Sequence, residues 1–276
     1  MAFSKVGPSR SARENLILAF SLASIAGAVN SIGFLELAVF TSNLSGSSTR
    51  LGEALVTHNH SLITQTLVLL LSFLGGAMTA TLLVERARHQ HRARYVVALV
   101  VQACVLTAAT LGLEFIADRT TSVVYWLSGA LAFSMGLQNA LVTHISGAVV
   151  RTTHLTGIVT DLGIEIVHLG YFIRQRLQER GLLSVWSVLK SLDDAPDFHK
   201  ARLHVTIFLS FLAGGAVGTS LHLNIGRPAM ALPVVTLVAL VVYDQWLQNQ
   251  WRRLVATLTA KNDGDAEPDT PKKTGS

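Results

Sequence analysis

Two short segments of this sequence could form a polar binding site, because they hold matching side chains at matching positions. Residues 41–52 read TSNLSGSSTRLG, and residues 152–163 read TTHLTGIVTDLG. We call them the first and second signature segments. A Ser, Thr or Asn at a helix start accepts hydrogen bonds from free N–H groups, and such N–H groups also bind polar ligands. Each segment therefore predicts a helix start that can contact a ligand.

An asparagine precedes each signature segment and belongs to the same predicted site. A Gly-x-x-Asn motif ends at Asn30 and again at Asn139. His154 aligns with Asn43, so a shared hydrogen-bonding role fits His154 better than metal ligation. Glycines within the segments allow the backbone to approach closely. The predicted substrate-binding residues are Asn30, Asn43, Gly46, Asn139, His154, Thr156 and Gly157.

The signature segments also carry one charge each, of opposite sign. Arg50 and Asp161 occupy the same position in the two segments. Burying either charge alone in a membrane is expensive, and pairing is the usual remedy. We predict a charge pair of Arg50 and Asp161, with Asp161 as the proton carrier if transport is coupled to protons. The alternative places each charge in a solvated loop near its own membrane face.

The remaining reactive residues do not form a recognised metal site. Glu165-x-x-His168 is similar to half of a di-iron carboxylate site, but the first half of the sequence has Ala54 and Thr57 at the matching positions. Cys104 is the single cysteine, which excludes an intrachain disulfide and a thiolate zinc site. We therefore predict no metal and no cofactor.

A serine nucleophile is the catalytic alternative that the sequence leaves open. Ser45 or Ser48 and a histidine could act as nucleophile and base in a membrane-embedded hydrolase. The sequence has no Gly-x-Ser-x-Gly, His-Glu-x-x-His or P-loop motif. We therefore favour a protein that is not an enzyme, and a structural membrane protein is a further alternative.

The elements that must position these residues are predicted to be membrane helices. Half of the residues are apolar and 14% are charged, whereas about a quarter are charged in soluble domains. A helix needs about 20 apolar residues to cross a bilayer. Six stretches meet this requirement, and they are residues 16–35, 62–84, 95–113, 121–142, 203–223 and 229–247. The sequence therefore predicts an all-α membrane protein with six transmembrane helices.

The basic residues predict the orientation of these helices. Lys and Arg stay on the cytoplasmic side of membrane proteins. With a cytoplasmic N-terminus and six crossings, only Arg50, Arg119 and Arg227 of the 22 Lys and Arg residues fall outside. Both termini are therefore predicted to be cytoplasmic. The net charge of +5 does not indicate a nucleic-acid partner, because the basic residues do not gather on one surface.

The matching motifs recur in the same order and indicate an internal duplication. Besides the Gly-x-x-Asn motifs and the signature segments, SFLGGA at residues 72–77 is answered by SFLAGGA at residues 210–216. Repeat one covers about residues 14–113 and repeat two about residues 121–248. Three crossings in each half would invert the second copy relative to the first. Each repeat is also predicted to contain a short signature helix that dips into the membrane. One membrane domain, residues 1–250, is followed by a cytoplasmic tail, residues 251–276, largely disordered at its end.

The same motifs resemble those of a known family. The resemblance rests on Gly27-x-x-Asn30, Phe40-x-x-Asn43-x-x-Gly46, Gly136-x-Gln138-Asn139-Ala140 and Thr152-Thr153-His154-Leu155-Thr156-Gly157. They are similar to motifs of the YoaK-type bacterial membrane proteins, a domain-of-unknown-function family, over roughly residues 14–248. Family members often carry an acid where Asn30 stands and Asn where Ser47 stands, so this sequence departs from the family pattern at both positions. The resemblance implies a six-span bacterial inner-membrane protein and brings no established activity.

Inverted repeats with interrupted helices are typical of secondary transporters, which bind their substrates where the repeats meet. We therefore expect a secondary transporter or a channel-like permease for a small polar solute. The expected partners are the lipid bilayer and that solute, and a homo-oligomer is left open.

Overall fold

The protein is helical throughout the part of the chain that its computed structural model describes, which is residues 12–89, 95–116, 118, 120–146, 152–180 and 196–264. These residues form eight α-helices and one 3₁₀ turn, without strands. The helices are α1 (Ala12–Leu37), α2 (Leu44–Val56), α3 (His60–His89), α4 (Val96–Phe115), α5 (Thr121–Ser146), α6 (Leu155–Arg180), α7 (Pro196–Ile225) and α8 (Ala231–Gly264). The 3₁₀ turn, Arg227–Met230, joins α7 to α8. The predicted tail begins inside α8, and its residues 265–276 lie outside the described residues.

Five of the described helices are long and apolar enough to cross a membrane, namely α1, α3, α4, α6 and α7. Four of them coincide with predicted spans. The last predicted span corresponds to a shorter apolar segment, Arg227–Tyr243. The predicted span at residues 121–142 forms α5, which is not among the five. The count of six crossings therefore stays a prediction.

Helix α5 lies inside the bundle. Most of its residues from Leu127 to Ser146 are buried, including the polar Ser128, Ser134 and Gln138. A helix that faces other protein segments can carry polar side chains that would be costly against lipid. The buried polar side chains of α5 thus fit its central position.

The second signature segment begins a long helix. Helix α6 has 26 residues and α2 has 13, which correspond to lengths of about 39 and 20 Å. The prediction of a short signature helix in each half is therefore wrong for α6. The reason is that a largely apolar stretch, interrupted by Glu165 and His168, continues from Ile164 to Ile173. Helix α2 is instead followed by His58 in a left-handed backbone conformation, with φ of 51°.

Helices α1 and α7 cross in direct backbone contact. A β-carbon at Gly27 of α1 would lie 2.0 Å from the carbonyl oxygen of Phe211. A β-carbon at Gly214 of α7 would lie 2.0 Å from the carbonyl oxygen of Ser24. Glycine is therefore required on both sides of this crossing, as is common where membrane helices pack closely.

Helices α5 and α3 cross in the same way. Gly136 of α5 lies against the carbonyl oxygen of Phe73, and Gly76 of α3 lies against that of Phe133, again 2.0 Å from the β-carbon that either glycine would carry. Helices α1 and α5 supply more of the hydrophobic core than the other helices do. These two crossings hold α1 and α5 in the interior and set the positions of Asn30 and Asn139 one turn further along.

Candidate functional site

A cavity of about 660 Å³ lies where α2 and α6 begin. Its polar lining residues are Asn30, Ser42, Asn43, Ser45, Asn139, Thr153, His154 and Thr156, and its apolar ones are Phe40, Leu44, Phe73, Leu155 and Phe211. Phe73 and Phe211 each lie about halfway along a helix of 30 residues. The cavity therefore lies level with the midpoints of α3 and α7, and both signature segments border it.

Five of the seven predicted binding residues line this cavity, namely Asn30, Asn43, Asn139, His154 and Thr156. Gly46 and Gly157 do not line it. Each lies beneath the side chain that begins its helix. A β-carbon would come within 2.7 Å of Asn43 Nδ2 at Gly46, and within 2.5 Å of His154 Nδ1 at Gly157. The two glycines therefore leave room for Asn43 and His154 to fold over the first helical turn.

Asn30 positions the start of the first signature segment. Its Oδ1 accepts hydrogen bonds from the backbone N–H of Ser42 at 3.2 Å and from Ser42 Oγ at 3.0 Å. Thr41 Oγ1 lies 3.5 Å from the same oxygen. All three bonds go to Oδ1, and within the described chain no protein group bonds Asn30 Nδ2. The amide nitrogen is thus available to a molecule in the cavity.

Asn139 does the same for the second signature segment. Its Nδ2 donates a hydrogen bond to Thr153 Oγ1. Its Oδ1 accepts a hydrogen bond from Thr152 Oγ1 at 3.2 Å. Because both ends of this amide are engaged, Asn139 acts mainly by holding the chain that leads into α6.

The starts of α2 and α6 both border the cavity. Asn43 caps α2, since its Oδ1 accepts hydrogen bonds from Gly46 N at 3.2 Å and Ser45 Oγ at 3.1 Å. At α6 the carbonyl oxygen of His154 accepts the first helical bond, from Ile158 N at 3.1 Å. The first N–H groups of a helix have no partner within it and lie at its positive end. This arrangement favours a ligand with negative or hydrogen-bond-accepting atoms.

Three phenylalanine side chains complete the cavity lining, and none of them was predicted as a site residue. Phe73 and Phe211 face it from α3 and α7. Phe40 lines it as well and stacks on Phe34, with ring centroids 4.2 Å apart and planes at 6°. The repeated Ser-Phe-Leu at residues 72–74 and 210–212 is the signal that could have identified the first two.

Gln138 is a second feature that the sequence analysis left without a role. It is fully buried, and its Nε2 donates to the carbonyl oxygen of Leu22 at 2.8 Å and lies 3.4 Å from Thr152 Oγ1. Its Oε1 accepts a hydrogen bond from Gln102 Nε2 at 2.7 Å. Gln138 therefore ties α1, α4 and the start of the second signature segment to α5.

Arg50 and Asp161 lie apart from the cavity lining. Both side chains are exposed, and neither lines the cavity. Within the described residues, no ion pair joins them. Helix α2 packs on α3, whereas α6 packs on α7. The geometry does not bring the two charges together, so their pairing stays a prediction.

The described residues contain no group of three or more His, Cys, Asp or Glu side chains arranged to hold a metal. Glu165 and His168 do not share a partner. Glu165 contacts His204 at 3.0 Å, and His168 contacts Asp197 at 3.4 Å.

These features define a multi-pass membrane protein with a partly polar cavity between its helices. The chain matches the family model described as "Protein of unknown function (DUF1275)" over residues 18–243, and it belongs to that family. It is similar to the UPF0700 transmembrane protein YoaK of Bacillus subtilis (strain 168), with 29% identity over 212 residues, 72% of this chain and 92% of the relative. No solved structure matches the chain. The family predicted from the sequence motifs is thus confirmed.

Proposed function

We propose that this protein is a secondary transporter or channel-like permease that moves a small polar solute through the cavity between the starts of α2 and α6. The observation that carries the proposal is the position of this cavity, halfway along the bundle and bordered by both signature segments. Its volume of about 660 Å³ falls within the range of roughly 300–1,000 Å³ found for small-molecule sites.

The proposal includes an inverted repeat with six crossings and two helices, α2 and α6, that begin in the interior. Paired contacts support it. The crossing of α1 with α7 uses Gly27 and Gly214, and the crossing of α5 with α3 uses Gly136 and Gly76. Asn30 bonds the two residues that precede Asn43, and Asn139 bonds the two residues that precede His154. Such matched contacts are expected when two copies of one fold pack around a common axis.

The lining chemistry supports a solute with a hydrogen-bond-accepting or anionic group. Among the described lining residues there is no Asp, Glu, Lys or Arg. The donors are the helix N–H groups, side-chain amides and hydroxyls, and the imidazole of His154. A solute could place its acceptor atoms against the helix starts and its carbon skeleton against Phe73 and Phe211.

Hydrogen bonding disfavours the hydrolase alternative. Ser45 Oγ donates to Asn43 Oδ1 at 3.1 Å, and Ser48 Oγ donates to the carbonyl oxygen of Leu44 at 2.9 Å. An activated serine needs a basic side chain within hydrogen-bond reach. Neither serine has one among the described residues, which supports transport over hydrolysis.

Water access to the cavity tests the proposal without knowledge of the solute. Cys104→Ser removes the single cysteine, and Thr156→Cys then places one thiol in the cavity lining. Met78→Cys is the matched control, because Met78 is 57% exposed on the apolar outer face of α3, five residues from Phe73. A charged methanethiosulfonate reagent should modify the thiol at 156 much faster than the thiol at 78. Equal, slow modification would show that the cavity is closed to water and would overturn the proposal.

Solute uptake into proteoliposomes then tests transport itself. Amino acids, small organic acids and sugars would be screened with the wild-type protein, and His154→Ala should lower uptake of the transported solute at least tenfold. His60→Ala is the control, since His60 is exposed at the start of α3 and does not line the cavity.

A further inference from the structure

Helix α6 carries a buried carboxylate that does not line the cavity. Glu165 is 5% exposed, and its two oxygens lie 3.0 and 3.1 Å from Nδ1 of His204 on α7. The side chain of His204 is 16% exposed. Within the described chain, His204 is the only side chain that forms a hydrogen bond or an ion pair with this carboxylate.

The Glu165–His204 pair is absent from the other half of the sequence. Counting from the signature segments, Glu165 corresponds to Ala54, and counting from the Ser-Phe-Leu motifs, His204 corresponds to Thr66. Both Ala54 and Thr66 are buried. The same helix positions can therefore be filled without ionisable groups, which indicates that the pair has a task beyond packing.

A second carboxylate–histidine contact lies at the other end of α7, and there the negative charge is always balanced by an arginine. Glu36 lies 3.5 Å from His222 Nε2 and 3.5 Å from Arg227 Nε. A guanidinium is always charged, so the charge of Glu36 is balanced whether or not His222 is protonated. Among the described residues Glu165 has no such partner, so that a proton held by Glu165 or His204 is what balances its charge there.

Among the described residues, the other charged groups near Glu165 are either paired with one another or exposed. Asp197 at the start of α7 pairs with Lys200 at 3.7 Å and with His168 of α6 at 3.4 Å. Asp161, one turn before Glu165, is exposed, as is Arg202 on α7. An ionised Glu165 beside a neutral His204 would leave one uncompensated negative charge in a buried site, which is costly. Binding one proton removes that charge.

The pair is also close to the cavity. His204 precedes the cavity-lining Phe211 by seven residues on α7, a distance of about 10 Å along the helix. It lies on the side of the cavity toward the start of α7, which the charge distribution predicts to be cytoplasmic.

We propose that Glu165 and His204 together bind and release the proton that drives transport. The proton is held as an imidazolium–carboxylate or an acid–imidazole pair and leaves to water as α6 and α7 separate, so that a carboxylate and a neutral imidazole remain. The coupling role rests on the proposed function, whereas proton binding by the pair does not. Glu165 thus replaces the exposed Asp161 as the proton carrier.

Infrared difference spectra recorded across a pH change test proton binding in the wild-type protein in lipid. Both Glu165→Gln and His204→Gln should remove the same pH-dependent signals of one carboxyl and one imidazole. Asp161→Asn, on the same helix, should keep them. The double change Glu165→Ala, His204→Thr installs the residues of positions 54 and 66, so it should fold and lack the signals. Signals that persist in Glu165→Gln or in the double variant would overturn the proposal.

Uptake driven by an imposed pH gradient tests the coupling, with the solute found in the screen. Glu165→Gln should lower gradient-driven accumulation of the solute at least tenfold. Downhill exchange of the solute should continue in this variant. Gradient-driven accumulation at the wild-type rate would overturn the coupling role while transport stands. If no solute moves although the infrared signals behave as expected, the proposed function and the coupling role fail, and proton binding by the pair stands.

Discussion

Asn43 and His154 face one cavity from the starts of two different helices, and each side chain folds over a glycine three residues further along. The two residues align in the sequence although their side chains differ. Asn43 caps its helix through Oδ1, and His154 adds an imidazole at the corresponding place. The cavity is therefore similar but not identical on its two sides, as a site for an asymmetric solute requires.

The glycines at the helix crossings should not tolerate a methyl group. Gly27→Ala and Gly136→Ala would each place a β-carbon 2.0 Å from a backbone oxygen, so the helices must separate. We expect a loss of roughly 1–3 kcal/mol or more of stability, measured as a lower unfolding temperature in detergent. Gly52→Ala and Gly163→Ala are matched controls, because no described atom beyond the adjoining backbone of the same helix lies within 4 Å of the added carbon. These two should be neutral or stabilising by up to about 1 kcal/mol. Equal behaviour of both groups would contradict the crossings.

Asn30 and Asn139 should respond differently to aspartate. Asn30→Asp keeps the oxygen that accepts from Ser42, so the unfolding temperature should change little. Asn139→Asp loses the Nδ2 donor to Thr153 and should cost about 1 kcal/mol or more. Alanine at either position should be destabilising by a similar amount. A larger effect of aspartate at residue 30 than at residue 139 would refute the assigned hydrogen bonds.

The predicted pairing of Arg50 and Asp161 is tested by exchanging the charges. Arg50→Asp and Asp161→Arg should each lower solute uptake or yield of folded protein, and the double exchange should restore part of the loss. A double variant no better than either single would mean that the two residues act separately. Single variants that match the wild type would assign both charges to solvated surfaces, where their exposure places them.

Membrane orientation follows from the distribution of basic residues and is tested by reporter fusions. Fusions after Arg88 and Lys272 should report a cytoplasmic location, and fusions at Arg119 and Arg227 a periplasmic one. The physical reason is that Lys and Arg resist transfer across the membrane. A periplasmic C-terminus would rule out both the count of six crossings and the inverted repeat.

The sequence by itself was sufficient for the class of protein, the family and five of the eight polar residues that line the cavity. Apolar stretches of about 20 residues are a local property that a bilayer selects directly. The signature segments were recognisable because helix capping depends on residues within one turn, as at Asn43 and Gly46. Asn30 and Asn139 were found because a Gly-x-x-Asn motif lies at a similar distance before each signature segment.

Only the tertiary structure decided which distant side chains meet. The bond of Gln138 with Gln102, the cavity walls Phe73 and Phe211, and the contact of Glu165 with His204 all join different helices. The separation of Arg50 from Asp161 has the same origin, because α2 and α6 pack on different neighbours. Helix crossings are set by small residues such as Gly27 and Gly214, and a linear pattern does not state which pairs of helices those residues bring into contact.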